Sequence, residues 1–144
     1  MPQTFHIPDL AALRDFAAKV AAALPPTGAV VALEGDLGTG KTTFTQALAF
    51  ALGVRRPVSS PTFTLVCEYP LPGGRRLVHM DLYRLAGPSD LDALGFHEYI
   101  EGNDIVCIEW PDRAGDELPP DAVRISFSLS QDPNARDVIC AMPF

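Results

Sequence analysis

The sequence predicts an α/β fold: a mixed β-sheet flanked by helices, parallel at its centre and with antiparallel edge strands. Three observations lead there. Residues 29–33 and 105–108 are short, wholly apolar runs, the pattern of strands covered on both faces. Residues 123–129 alternate apolar and polar with period two, as a strand with one wet face does. Apolar residues spaced by three and four ahead of the first run mark a flanking helix.

In chain order, Asp9 is placed to cap a helix whose apolar face is Leu10, Leu13, Phe16, Ala17, Val20 and Leu24, and Pro25-Pro26 stops it. The buried strand at 29–33 follows. A glycine-rich turn, Gly35 to Gly40, leads into a helix over 41–52, with Gly53 placed to close it in the left-handed conformation. Residues 62–69 are rich in β-formers, Pro72-Gly73-Gly74 turns the chain and 75–80 returns, so a hairpin is expected. Ser89 or Asp90 starts a short helix carrying Leu91, Leu94 and Phe96. The strands at 105–108 and 123–129 come next, and 138–142 are expected to form the last strand. With no internal repeat and no long linker, residues 1–144 are expected to make one domain.

Composition bounds the function. Apolar residues are 47% and charged residues 20% of the 144, a globular balance. The net charge of −7, with no Lys/Arg run longer than two, argues against a free-standing nucleic-acid binder while leaving room for a local phosphate pocket. No signal peptide and no membrane span are read. Cys67, Cys107 and Cys140 lie too far apart for a zinc site and are odd in number, which suits buried thiols in a reducing cytoplasm. The 14 prolines predict stiff connections.

The strongest motif is Gly35-Asp36-Leu37-Gly38-Thr39-Gly40-Lys41-Thr42, which fits G-x-x-x-x-G-K-[ST] at every fixed position. A loop that wraps a phosphate chain with successive backbone N–H groups must leave Cβ atoms out of the way, and the following helix points its N-terminus at the charge. Lys41 is expected to reach the β- and γ-phosphates and Thr42 to ligate Mg²⁺. The candidate ATP-binding residues are therefore Asp36, Leu37, Gly38, Thr39, Gly40, Lys41, Thr42 and Thr43. The apolar strand before the loop and the helix after it are the required context, and together they predict a P-loop NTPase-like sheet.

Such a site needs an acid near the metal. Two strand ends offer one: Ile105-Val106-Cys107-Ile108-Glu109 and Leu77-Val78-His79-Met80-Asp81. Glu109 is the metal-side candidate with Thr42. Either Glu109 or Asp81 can hold the Mg²⁺ shell through water or orient the attacking water, so Lys41, Asp81 and Glu109 are the candidate catalytic residues. No Asn-Lys-x-Asp sequence occurs, which favours ATP over GTP.

These residues resemble the TsaE (YjeE) ATPases of bacterial tRNA threonylcarbamoyladenosine biosynthesis. Gly35 to Thr43 is similar to the family's phosphate loop. Ser60-Pro61-Thr62-Phe63-Thr64-Leu65 is similar to its S-P-T-[FY]-[TS]-L segment, His79-Met80-Asp81-Leu82-Tyr83-Arg84-Leu85 to its H-x-D-L-Y-R-L block, and Glu109-Trp110-Pro111 to its metal-side acid and neighbouring aromatic. The resemblance spans about residues 7–140. It implies that Thr42 and Glu109 serve Mg²⁺, that Asp81 is needed for hydrolysis, that Arg136 lines the nucleotide, and that Ser60, Pro61, Thr62 and Phe63 form a nucleotide-sensing switch. It implies as partners TsaD and TsaB, which modify adenine 37 of tRNAs reading ANN codons, with tRNA an indirect partner. One departure is Leu13, where many relatives carry a threonine near the adenine.

Two other classes compete: a small metabolite kinase, and a nucleotide-sensing module without catalysis. The hairpin with its Pro-Gly-Gly turn is poor material for a kinase lid. His79 is read as a strand-end polar residue or a phosphate contact, Arg84 as an ion-paired or surface arginine. Trp110 is read as a partner anchor or as half-buried beside the site.

Overall fold

The computed structural model describes residues 2–36, 38–58, 65–86 and 88–142. Asp9 starts the first helix as its position predicts: its carboxylate accepts from the Ala12 backbone N–H at 2.9 Å, satisfying one of the donors a helix start leaves open. Helix α1 (Leu10–Ala23) buries Leu13, Phe16, Ala17 and Val20, and ends before the proline pair. Leu10 departs from the expected face: it is 48% exposed, because it sits in the first turn, beyond the edge of the apolar stripe. Replacing Asp9 with alanine should cost about 1 kcal/mol in urea unfolding, and Asp9→Asn should cost far less, since asparagine offers the same acceptor.

The strands are β1 (Gln3–Ile7), β2 (Ala29–Glu34), β3 (Val66–Pro70), β4 (Arg76–Asp81), β5 (Ile105–Glu109), β6 (Val123–Leu129) and β7 (Arg136–Cys140). They form one sheet in the order β1-β7-β6-β2-β5-β4-β3. The inner strands β6, β2, β5 and β4 are parallel, while β1, β7 and β3 pair antiparallel, as expected. Helix α2 (Lys41–Leu52) follows β2 through the glycine turn and ends at Gly53 in the left-handed conformation.

Alternation along the strands divides the core in two. Val31, Leu33, Leu77, Ile105, Cys107 and Ile125 face α1 and α2. Ala32, Val78, Met80, Val106 and Ile108 face the other side, where Leu91 of α3 (Leu91–Leu94) and Phe96 of α4 (Phe96–Ile100) cover them. Phe5, Phe16, Phe44 and Phe127 form a row of tilted rings, 5.1 to 5.8 Å apart between centroids, that ties β1 to α1, α2 and β6.

Four local expectations need correction. Strand β1 is not marked by the sequence pattern: it is an edge strand with only Ile7 buried, so no alternation shows. The last strand is Arg136–Cys140, earlier than the apolar end of the chain suggests, because it pairs with β1 over its whole length and takes Arg136 and Asp137 into the ladder. The short helix is two, broken at Gly95 with φ 75°. Strand β5 runs one residue further, to Glu109. Of the expected hairpin, the described part is β3 and β4, entered through Leu65 at φ 64°; residues 62–64 lie outside the described residues. Cys107 and Cys140 are buried thiols, whereas Cys67 is only half-buried. No helix among the described residues is long and apolar enough to cross a membrane.

Candidate functional site

The four parallel strands deliver their carboxyl ends to one rim of the sheet, where α/β folds hold ligands. In register, Leu33 lies beside Glu109, and Glu109 beside Asp81, so two acidic strand ends stand next to the strand that feeds the glycine loop. The order of the sheet, not the order of the chain, makes them neighbours.

The loop has the shape its composition demands. Gly35 takes φ 141°, and a Cβ there would meet the Phe127 carbonyl oxygen at 2.6 Å, so only glycine lets the loop leave β2 against β6. Gly38, at φ 79°, is the opposite case: a Cβ there would meet nothing within 4 Å. Thr39 ties the loop to itself, its hydroxyl donating to the Asp36 carbonyl at 2.7 Å. Helix α2 has no side-chain cap and no acid in its first turn, so its N-terminal N–H groups stay available to an anion.

Lys41 and Thr42 open that helix. The Lys41 ammonium donates to the Gly35 carbonyl and lies 3.9 Å from the centre of the Trp110 ring, which itself meets the Tyr83 ring tilted at 49°, 4.9 Å between centroids. Burial pulls the Lys41 pKa below its ordinary value, and the carboxylates of Glu109, Asp81, Asp36 and Asp112 oppose that shift. The cation is thus partly stripped of water, with four carboxylates near enough to favour its charged form.

The Thr42 hydroxyl reaches the two Glu109 oxygens at 3.0 and 3.3 Å. Glu109 Oε2 is also 2.6 Å from His79 Nε2, with both residues buried. Asp81 is half-buried, and its Oδ1 accepts from the Tyr83 backbone N–H at 3.0 Å. A hydroxyl and a carboxylate, both hard oxygen donors, converge at the helix start. No cluster of three or more His, Cys, Asp or Glu fit to hold a metal occurs among the described residues. That donor set fits Mg²⁺, which takes one or two protein oxygens and fills the rest of its octahedron with water and substrate phosphates. Below the site, burial pushes the Cys107 thiol up to about 12, so it stays protonated.

A cavity of about 170 Å³ continues from the loop, lined by Thr39, Gly40 and Thr43 on one side and by Ile7, Leu10, Leu13 and Arg136 on the other. Arg136 closes it: its guanidinium donates to the Gly38 carbonyl at 3.2 Å. Leu10, out of place on the core face of α1, and Leu13 are walls of this cavity.

The structure brings together Asp36, Gly38, Thr39, Gly40, Lys41, Thr42, Thr43, Asp81, Glu109 and Arg136. Leu37, Ser60, Pro61, Thr62 and Phe63 lie outside the described residues. Trp110 is half-buried beside Lys41, and Arg84 is exposed. His79 is not the strand-end polar residue expected but a buried partner of Glu109. Its signal was present: it shares a strand face with Asp81, two residues on. Ile7 was missed with β1.

Comparison with known proteins bears on the family and the fold. The family described as "Threonylcarbamoyl adenosine biosynthesis protein TsaE" matches residues 7–138. The chain is 43% identical over 115 residues to a Bacillus subtilis protein named tRNA threonylcarbamoyladenosine biosynthesis protein TsaE, covering 80% of this chain and 71% of that one. A Haemophilus influenzae protein of the same name is 36% identical over 133 residues, covering 90% of this chain and 84% of that one. The crystal structure of Bacillus subtilis YdiB superposes with a TM-score of 0.77 at 33% identity, over 99% of this chain and 86% of that one.

Proposed function

The chain belongs to the TsaE family of tRNA threonylcarbamoyladenosine biosynthesis, and from that premise we propose that it is a Mg²⁺-dependent ATPase serving TsaB and TsaD, which modify adenine 37 of tRNAs that read ANN codons. The observation that supports this best is the convergence of Lys41, Thr42 and Glu109 at the first turn of α2, beside the glycine loop.

The chain's own groups suggest a sequence of events. The backbone N–H groups of the loop and of the first turn of α2 take the β- and γ-phosphates, and Lys41 leaves the Gly35 carbonyl to join them. Thr42 and Glu109 would hold Mg²⁺, which would supply neutralisation of the phosphate charge. Asp81, one oxygen fixed by the Tyr83 N–H, has its other oxygen available to orient water in line with the γ-phosphate. Lys41 then stabilises the charge that spreads over the transferred group. The cavity lined by Leu10, Leu13, Thr43 and Arg136 is the proposed seat of the adenosine, and the segment from Ser60 to Phe63 the proposed switch.

Purified chain with ATP and Mg²⁺ should release phosphate slowly, faster when TsaB and TsaD are added, and not at all in EDTA. Fast release that ignores TsaB and TsaD would overturn the partner assignment, and release that ignores EDTA the metal assignment.

A further inference from the structure

We propose that His79 is a positioning residue for Glu109: its imidazole holds the carboxylate in the orientation that a divalent cation at Thr42 requires. The inference rests on the reading of this rim as a Mg²⁺–nucleotide site and names what keeps its acid in place.

An imidazole is an unexpected filler at this point. His79 is fully buried in the middle of β4, between Val78 and Met80, which are equally buried. A buried ring nitrogen needs a partner. Nε2 has Glu109, at 2.6 Å, whereas Nδ1 has no hydrogen-bond partner among the described residues. An aliphatic side chain would fill the same space without orphaning a polar atom, so the contact with Glu109 is what distinguishes histidine here. Because a carboxylate accepts, the hydrogen resides on Nε2.

The sheet sets the geometry. His79 lies in register with Cys107 and Asp81 with Glu109, so His79 is the diagonal neighbour of Glu109 on the face that meets α2. Glu109 Oε2 receives two donors, His79 Nε2 and the Thr42 hydroxyl at 3.0 Å. A threonine hydroxyl can offer a lone pair to a cation and still donate its one hydrogen to Glu109. That single bond leaves a side chain with three rotatable bonds loosely held. The His79 bond comes from a different strand and is the second restraint that fixes the carboxylate.

The test compares full-length wild type with His79→Leu, His79→Asn and His79→Gln. Mn²⁺ affinity of each ADP-loaded protein is read by electron paramagnetic resonance, and ADP affinity in EDTA by calorimetry. His79→Leu and His79→Asn, neither of which presents a donor at the reach of Nε2, should weaken Mn²⁺ binding about 10- to 100-fold. Metal-free ADP affinity should stay within about twofold, since the loop amides and Lys41 carry it. His79→Gln, whose amide nitrogen has that reach, should recover most of the loss. If His79→Leu does not fold, His79→Asn carries the comparison. Mn²⁺ affinity unchanged in a folded variant would overturn the proposal, as would His79→Gln no better than the others or an equal loss of metal-free ADP binding. Wild-type protein that binds neither ADP nor Mn²⁺ would instead overturn the nucleotide-site reading itself.

Discussion

Lys41→Ala is expected to lower ATP hydrolysis by at least about 10²- to 10³-fold, the scale on which losing one preorganised charge-stabilising donor is felt. It should also weaken ATP binding, because the phosphates would then approach Glu109, Asp81, Asp36 and Asp112 without the cation that those carboxylates face. Stability should change little. Removing Lys41 relieves the cost of burying its charge but gives up its hydrogen bond to Gly35 and its contact with the Trp110 ring, two opposed changes. Phosphate release, calorimetry with ATP and urea unfolding together check this. A variant that is inactive, weak in binding and no easier to unfold would mark Lys41 as held for function. Wild-type phosphate release would contradict the proposed role of the loop.

Gly35→Ala is expected to have the largest effect on stability, about 2–5 kcal/mol by urea unfolding. Two penalties add: φ 141° is closed to a residue with a Cβ, and the added atom would stand 2.6 Å from the Phe127 carbonyl oxygen, which belongs to strand backbone that cannot swing away. Gly38→Ala is the control within the same loop. Its φ of 79° costs only about 1 kcal/mol or so, and the new Cβ meets nothing. That variant should fold nearly as well as wild type and fail to bind ATP, because the methyl group would fill the space proposed for the phosphates. If the two variants behaved alike, the difference between structural and phosphate-facing glycines would be wrong.

Much of this was readable in advance, for physical reasons that differ by element. Helix α2 and its two ends could be read to the residue, since the loop motif marks one end and Gly53 the other. The buried strands β2 and β5 showed as apolar runs because both of their faces are covered. Strand β1 could not be read: with one face wet and only Ile7 buried, nothing local distinguishes it, and its partner lies at the far end of the chain. Lys41, Thr42, Asp81 and Glu109 were legible from motif and strand-end position. Arg136 was legible through the family resemblance, and the strand face of His79 from its spacing to Asp81; the contact of His79 with Glu109 and the cavity wall at Ile7 were not, because each depends on which strands lie side by side. Chain-local chemistry does not contain that order.

The pairing of the first strand with the last has a mechanical meaning. Its register runs from Gln3 opposite Cys140 to Ile7 opposite Arg136, and that final pair is the one whose side chains wall the cavity. The two strands therefore act as a zip whose last tooth is at the cavity. Fraying at the open end leaves the pocket intact until the whole zip has parted. A bound molecule held between Ile7 and Arg136 would in turn lock the zip shut from the inside.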